Sequence, residues 1–145
     1  MSAIPAKLRR LVLRRAAGRC AYCQLLQQGQ EATFHIEHII PVAAGGQTVA
    51  ANLALACVSC SLRKSARLTA RDPQTGHEVA LFHPRQEQWA SHFHWEGLRL
   101  VGRTEVGRAT IEALNMNRAL ILAIREEEAV LGRHPPPKMS HRAPP

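Results

Sequence analysis

The sequence has few aromatic residues and no long apolar run. Aromatic side chains make up 4% of the 145 residues and hydrophobic ones 46%, so we expect a mostly aliphatic core. No stretch approaches the roughly 18 consecutive apolar residues that a membrane-spanning helix needs. The N-terminus also has no apolar core of the kind found in a secretory signal. We therefore expect a cytoplasmic protein that has no membrane partner.

Acidic residues are also scarce. The chain has 19 Lys and Arg but 11 Asp and Glu, its formal charge is +8, and its first acidic residue is Glu31. An early stretch rich in arginine could imitate an organellar transit peptide. However, it contains one serine and leads directly into a cysteine pair, so we interpret it as part of the folded domain. A pI of about 10.4 favours a polyanionic partner, first of all nucleic acid. The alternative is a basic soluble protein without such a partner.

The length suits one domain with a substantial core, which we place over residues 1–131. Helical periodicity predicts an N-terminal helix over residues 5–17, with Gly18 as its stop. Shorter patterns predict a strand over 33–40, a turn at Gly45-Gly46 and a short basic helix over 61–67. Further helices are predicted over 86–94, 107–117 and 118–131. The proline-rich end, residues 132–145, is predicted to be a disordered tail.

All four cysteines fall into two C-x-x-C pairs, Cys20 with Cys23 and Cys57 with Cys60. Two such pairs can supply the four thiolates of a tetrahedral structural zinc site. The alternatives are two disulfides, a redox pair or free buried thiols. A redox pair would account for one C-x-x-C but not for the second, and disulfides are disfavoured without a secretion signal. The 33 residues between the pairs exceed the spacing of a simple two-knuckle motif, so this loop must fold into structure of its own.

That loop contains the stretch FHIEHIIP, which places His35, Glu37 and His38 in an apolar run. Burying such groups is unfavourable unless hydrogen bonds or a metal ion compensate them. Alternation along a strand would place His35 and Glu37 on one face. His35 is therefore a candidate metal ligand, although a histidine satisfied by ordinary hydrogen bonds is the alternative that we favour.

The order of these motifs resembles the HNH endonuclease family. The series runs from C-x-x-C through Glu-His-Ile-Ile-Pro, Gly-Gly and Asn-Leu to the second C-x-x-C, with Lys64 shortly after it. The resemblance covers residues 14–67. The stretch from Leu81 to Asn117 is similar to the C-terminal extension of a bacterial HNH subgroup.

The resemblance implies an α+β fold built on a ββα-metal core of the HNH (His-Me finger) type, in which a two-stranded hairpin and a helix surround one divalent ion. The zinc knuckles and this core would occupy residues 18–70, after the N-terminal helix, and a helical C-terminal extension would occupy 71–131. By the same resemblance, Glu37 binds the catalytic ion, His38 is the general base and Asn52 orients His38. The implied cofactors are a structural Zn(II) and one catalytic Mg, Mn, Ni or Zn ion.

Ser61 departs from the family pattern, which most often has asparagine or histidine after the last cysteine. A serine hydroxyl is a poor ligand by comparison. Ser61 could act through a water molecule, His35 or Ser65 could replace it, or the metal site could be weakened.

Two functions are the main alternatives, beside a purely structural zinc protein that binds another protein. The first is a metal-dependent endonuclease that hydrolyses DNA, with double-stranded DNA favoured. The second is a zinc-stapled nucleic-acid-binding module with weak or no cleavage. In both, Lys64 matches the family pattern as a phosphate contact. Arg63 and Arg67 are weaker candidates, and a solvated basic face is the alternative for all three.

Overall fold

Short strands and helices alternate through residues 3–138, the part of the chain that this computed structural model describes. The helices are α1 (Ala6–Ala16), α2 (Val58–Lys64), α3 (Trp89–His92), α4 (Glu105–Leu114) and α5 (Ala119–Val130). The strands are β1 (His35–His38), β2 (Leu53–Ala56), β3 (Thr69–Arg71), β4 (Glu78–Ala80), β5 (Phe93–Glu96) and β6 (Arg99–Gly102). The predicted α+β class is confirmed. None of the helices within the described range combines the length and apolarity needed to cross a membrane.

The predicted single domain is divided into two compact units. Among the described residues, the first extends to Leu68 and includes His83–Glu87, and the second contains Thr69–Phe82 and residues 88–138. The division falls close to the predicted boundary at residue 70. Sequence patterns did not indicate that a five-residue segment beyond this boundary belongs to the first unit.

The first unit is built on an antiparallel hairpin of β1 and β2. His35 pairs with Ala56 at one end and His38 with Leu53 at the other, and every residue of β2 is buried. The backbone N–H of Ala21, inside the first C-x-x-C, donates to the carbonyl of Leu55 at 2.8 Å. This bond fixes the first cysteine pair to β2, the fully buried strand of the hairpin.

Helix α1 packs on the same hairpin because its apolar residues recur at helical spacing. Val12 is fully buried. Arg15 lies one turn further along the same face, and its Nη2 donates to the carbonyls of Ala50, at 2.8 Å, and Leu53. Burial and the positive charge of Arg85 lower the pKa of Arg15 to about 10. An arginine on the inner face of α1 therefore anchors this helix to the start of β2.

Two antiparallel hairpins, β3–β4 and β5–β6, and helices α3, α4 and α5 make up the second unit. The predicted helix over 86–94 is wrong at its end, because the helix stops at His92 and Phe93 begins β5. Phe93 is buried against Phe82, with ring centroids 5.1 Å apart in an edge-to-face arrangement. This packing favours the extended conformation over another helical turn. Gly107 lets α4 lie close to the end of α3, since a Cβ at this position would lie 2.1 Å from the carbonyl oxygen of His92.

The first residues of the predicted disordered tail make defined contacts. Arg133 makes a two-bond ion pair with Glu128, at 2.7 and 3.0 Å. The imidazole of His134 hydrogen-bonds the carbonyl of Gly97 at 2.8 Å and contacts the ring of Trp95. These contacts order the start of the segment. Residues 139–145 of the predicted tail lie outside the described residues.

Candidate metal and catalytic site

The four cysteines of the first unit converge on one point. Their sulfur atoms all lie within 4.8 Å of one another, and all four residues are buried. The Cys23 and Cys57 sulfurs are 3.7 Å apart, which is close to the ~3.8 Å edge of a tetrahedron with zinc–sulfur bonds of about 2.3 Å. All four are free thiols. The geometry and the donor set therefore fit a structural zinc ion.

The four buried sulfur atoms cannot all carry a negative charge unless a cation compensates them. Hydrogen bonds from the other three cysteines lower the pKa of Cys57, whereas burial raises the pKa of Cys20. The Sγ of Cys57 also accepts a hydrogen bond from the backbone N–H of Cys60 at 3.4 Å, which caps the start of α2. Because each further thiolate repels the first, a divalent cation would stabilise the arrangement.

One face of β1 meets α2 through two pairs of side chains. His35 Nδ1 lies 3.2 Å from the hydroxyl of Ser61, and Glu37 Oε2 lies 3.8 Å from Nζ of Lys64. These two pairs follow from geometry. His35 and Glu37 are two residues apart in β1 and share a strand face, and Ser61 and Lys64 are three apart in α2 and share a helix face. His35, Glu37 and Ser61, which the sequence suggested as ligands of one ion, therefore lie along one strand–helix contact.

Glu37 is a buried carboxylate with incomplete compensation. Its side chain is 11% exposed, and Oε1 is buried without a hydrogen-bond partner among the described residues. Burial raises the pKa of Glu37, although the charge of Lys64 and the nearby hydroxyl of Tyr22 act in the opposite direction. An orphaned carboxylate oxygen of this kind is suited to a hard divalent cation.

Lys64 corrects one prediction. Its side chain is 2% exposed, its Nζ donates to the carbonyl of Ile39 at 2.7 Å, and it pairs with Glu37. A buried ammonium group held in this way cannot also contact a phosphate at the surface. Arg63 and Arg67 are exposed, and Nε of Arg63 donates to the hydroxyl of Ser59 at 3.2 Å.

His38 ends β1, and its ring is held from the loop that follows. Its Nε2 lies 2.8 Å from the hydroxyl of Thr48. When Nε2–H donates to this hydroxyl, the neutral ring keeps its lone pair on Nδ1. That is the form in which an imidazole can accept a proton.

Asn52 does not orient His38 directly, contrary to the prediction. Its Oδ1 accepts from the backbone N–H of Ile40 at 2.8 Å, and its Nδ2 donates to the carbonyls of Ile40, at 3.0 Å, and Gln47, at 2.9 Å. Both amide hydrogens are therefore committed to backbone. Asn52 closes the loop between β1 and β2 and thereby fixes the region from which Thr48 reaches the ring.

Gly46 completes that loop. A Cβ at this position would lie 1.7 Å from the carbonyl oxygen of Ile40 and 2.9 Å from Nδ2 of Asn52. Any side chain would therefore displace the backbone that Asn52 binds. Gly46 and Asn52 therefore both depend on the position of the Ile40 carbonyl, which Gly46 approaches closely and Asn52 binds.

Three residues that contact the candidate site or its hairpin were missed by sequence reasoning. Tyr22 sits inside the first C-x-x-C, and Thr48 follows the Gly-Gly turn; neither position carries a periodic signal. Arg15 could have been recognised, because it lies three residues after Val12 and four after Leu11 on the apolar face of α1. Ser65, a suggested substitute ligand, lies just beyond the end of α2 and is exposed.

Comparison with known proteins supports the interpretation of this segment. Residues 20–67 match the family model described as HNH endonuclease, which confirms the resemblance drawn from the motif order over that range. No curated protein and no solved structure matched the chain. The match ends before the second unit, so the similarity of residues 81–117 to a family extension stays a prediction.

Proposed function

Starting from the HNH endonuclease match over residues 20–67, we propose that this protein is a metal-dependent endonuclease that hydrolyses phosphodiester bonds of DNA. The observation that carries the proposal is the position of Glu37 and His38 at the end of β1, in a hairpin followed directly by α2. In this ββα arrangement Glu37, a buried carboxylate whose charge is only partly compensated, is followed in the chain by His38, whose Nε2 is hydrogen-bonded to the hydroxyl of Thr48.

His38 would act as the general base. With Nε2–H donating to Thr48, its Nδ1 would accept the proton of a water molecule. The water oxygen would then form a bond to phosphorus as the bond to the 3′ oxygen breaks; His38 keeps the proton taken from the water, and the departing 3′ oxygen takes a proton from solvent. Asn52 and Gly46 maintain the loop that positions this histidine.

Glu37 would hold the catalytic ion, with Ser61 and His35 as candidate further ligands. A carboxylate, an imidazole and a hydroxyl suit Mg, Mn, Ni or Zn. A divalent ion bound there would stabilise the charge that develops on phosphorus and on the leaving oxygen. Lys64 already balances part of the charge of Glu37, so this residue would tune ion binding rather than contact the substrate.

Plasmid nicking tests the proposal. Wild type is incubated with supercoiled DNA and Mg, Mn, Ni or Zn, and we expect nicking with at least one ion and none with excess chelator. His38→Ala should lower the rate roughly 100- to 10,000-fold, the usual contribution of a general base. His77→Ala is the control, because His77 is 69% exposed and contacts Glu105 in the second unit. Equal cleavage by wild type and His38→Ala would overturn the proposal.

A DNA-binding module with little or no cleavage is the second candidate. The observation that favours it is the hydroxyl of Ser61 at a position where the family usually has a stronger ligand. In the same nicking assay, Ser61→Asn should then raise cleavage above the wild-type rate. A wild type that binds its catalytic ion tightly and gains nothing from Ser61→Asn would exclude this candidate.

A further inference from the structure

Helix α1 presents a row of positive charges that the proposed catalytic site does not use. Lys7, Arg10 and Arg14 are all exposed. They are three and four residues apart, so they follow one another along a single helix face. We refer to these three residues as the α1 stripe.

The α1 stripe has no acidic counterpart on its own element. Helix α1 contains no Asp or Glu, and the chain reaches Glu31 before its first acidic residue. Within residues 3–138, no hydrogen bond or ion pair is made by the side chains of the stripe. Their charges therefore face solvent without a partner of opposite sign.

The helix that carries the stripe is held firmly to the proposed catalytic hairpin. Arg15, about 100° around the helix from Arg14, bonds the carbonyls of Ala50 and Leu53, and Val12, on the side away from the stripe, is fully buried. Leu53 is also the partner of His38 in the hairpin register. A ligand bound along the stripe would thus be fixed relative to the strand that ends at His38.

The length of the stripe matches a nucleic-acid backbone. Seven residues of α-helix rise about 10 Å, and phosphates of one DNA strand are spaced about 3.4 Å along the duplex axis. Long, flexible arginine and lysine side chains can therefore meet about three successive phosphates. We propose that the α1 stripe is a second contact surface for the backbone of double-stranded DNA, an inference that rests on the proposed function and adds a binding surface to it.

Duplex binding in the absence of divalent ions tests this inference without requiring cleavage. The test variant carries Lys7→Gln, Arg10→Gln and Arg14→Gln. The matched control carries Arg71→Gln, Arg99→Gln and Lys138→Gln, three exposed positions with the same residue types and the same change in net charge. Circular dichroism and thermal unfolding of both variants check that each remains folded.

We expect the α1 variant to bind the duplex at least tenfold more weakly than wild type at low salt, and the control less than threefold more weakly. The slope of log affinity against log salt should fall by about 0.9 for each phosphate that the variant no longer neutralises, and hence by roughly 2.7 for three. Equal weakening in the two variants would overturn the inference, because net charge alone would then explain the binding. Binding of wild type to anionic lipid vesicles but not to the duplex would overturn it as well.

The two proposals fail in different ways. If wild type nicks DNA and both triple variants bind the duplex equally weakly, this inference alone is wrong. If wild type binds the duplex, the α1 variant does not and no ion supports nicking, the proposed hydrolysis alone is wrong.

Discussion

The hydroxyl of Thr48 is the group that most directly determines what His38 can do. It lies 2.8 Å from Nε2, and the proposed base is the tautomer in which Nε2–H donates to this hydroxyl and the free lone pair is on Nδ1. Asn52 and Gly46 act through the loop backbone instead. The proposed base is thus controlled by a residue that no sequence motif marks.

Thr48→Val should reduce DNA cleavage by about 10- to 100-fold, in line with the usual cost of removing a group that orients a catalytic histidine. Valine has nearly the same shape but no hydroxyl, so the ring should lose its preferred tautomer while the fold is retained. The fall should appear in kcat, with KM for DNA little changed. Nitrogen NMR of the His38 ring should show the tautomer change directly.

Thr48→Ser provides the matched control, because it keeps the hydroxyl and removes one methyl group. It should retain most of the cleavage rate and the wild-type NMR signature. If Thr48→Val cleaves as fast as Thr48→Ser, the hydroxyl does not position the base.

At the level of elements, the two cysteine pairs fasten the ends of the loop that contains the hairpin. One pair follows α1 and the other begins α2, and the first is bonded to β2 through Ala21. Zinc binding should therefore stabilise β1, β2 and α2 as one group.

Purified protein should contain about one tightly held zinc ion per chain. Cys57→Ser should lose it, because serine cannot supply the thiolate, although its hydroxyl can still cap the start of α2. A chelator that removes zinc should increase amide hydrogen exchange throughout β1, β2 and α2, since metal binding and folding are coupled in such sites. Iron in place of zinc, or unchanged exchange after removal of the metal, would contradict this prediction.

The local parts of the site were predictable from sequence, and the parts set by packing were not. Both C-x-x-C pairs and the Glu-His pair are short motifs whose spacing determines which groups can meet. The burial of Lys64 depends on how α2 is rotated against β1. Arg63 and Lys64 are adjacent in α2, and the sequence does not show which of the two side chains faces the hairpin. The hydrogen bonds of Asn52 go to backbone atoms of a loop, and loop geometry leaves no periodic signal.

Considered as a whole, the molecule divides its chemistry between two units. The proposed catalytic groups and the α1 stripe lie in the first. The second unit contains a carboxylate–guanidinium pair of its own, in which Arg108 on α4 binds Asp72 through two bonds of 3.0 and 2.8 Å. Thr75 and the backbone N–H of Gln74 also donate to this carboxylate. Asp72 therefore joins the β3–β4 turn to α4.

Acid should weaken the second unit through Asp72. Its hydrogen bonds with Arg108, followed by the other donors, hold the pKa of this carboxylate well below its usual value. A carboxylate with a lowered folded-state pKa contributes stability that is complete above the unfolded-state pKa of about 4 and is lost as the pH falls below it. The stability of the second unit should accordingly decline from about pH 5 downward.

Tryptophan fluorescence can report this effect selectively, because both tryptophans of the chain, Trp89 and Trp95, belong to the second unit. The urea midpoint of wild type should fall steeply between pH 5 and pH 3. Asp72→Asn should start from a lower midpoint at pH 7 and change less over the same range, because it has no carboxylate to protonate. Glu78→Gln, an exposed carboxylate of β4, is the control and should follow wild type. A parallel pH dependence in wild type and Asp72→Asn would show that other groups govern the acid response.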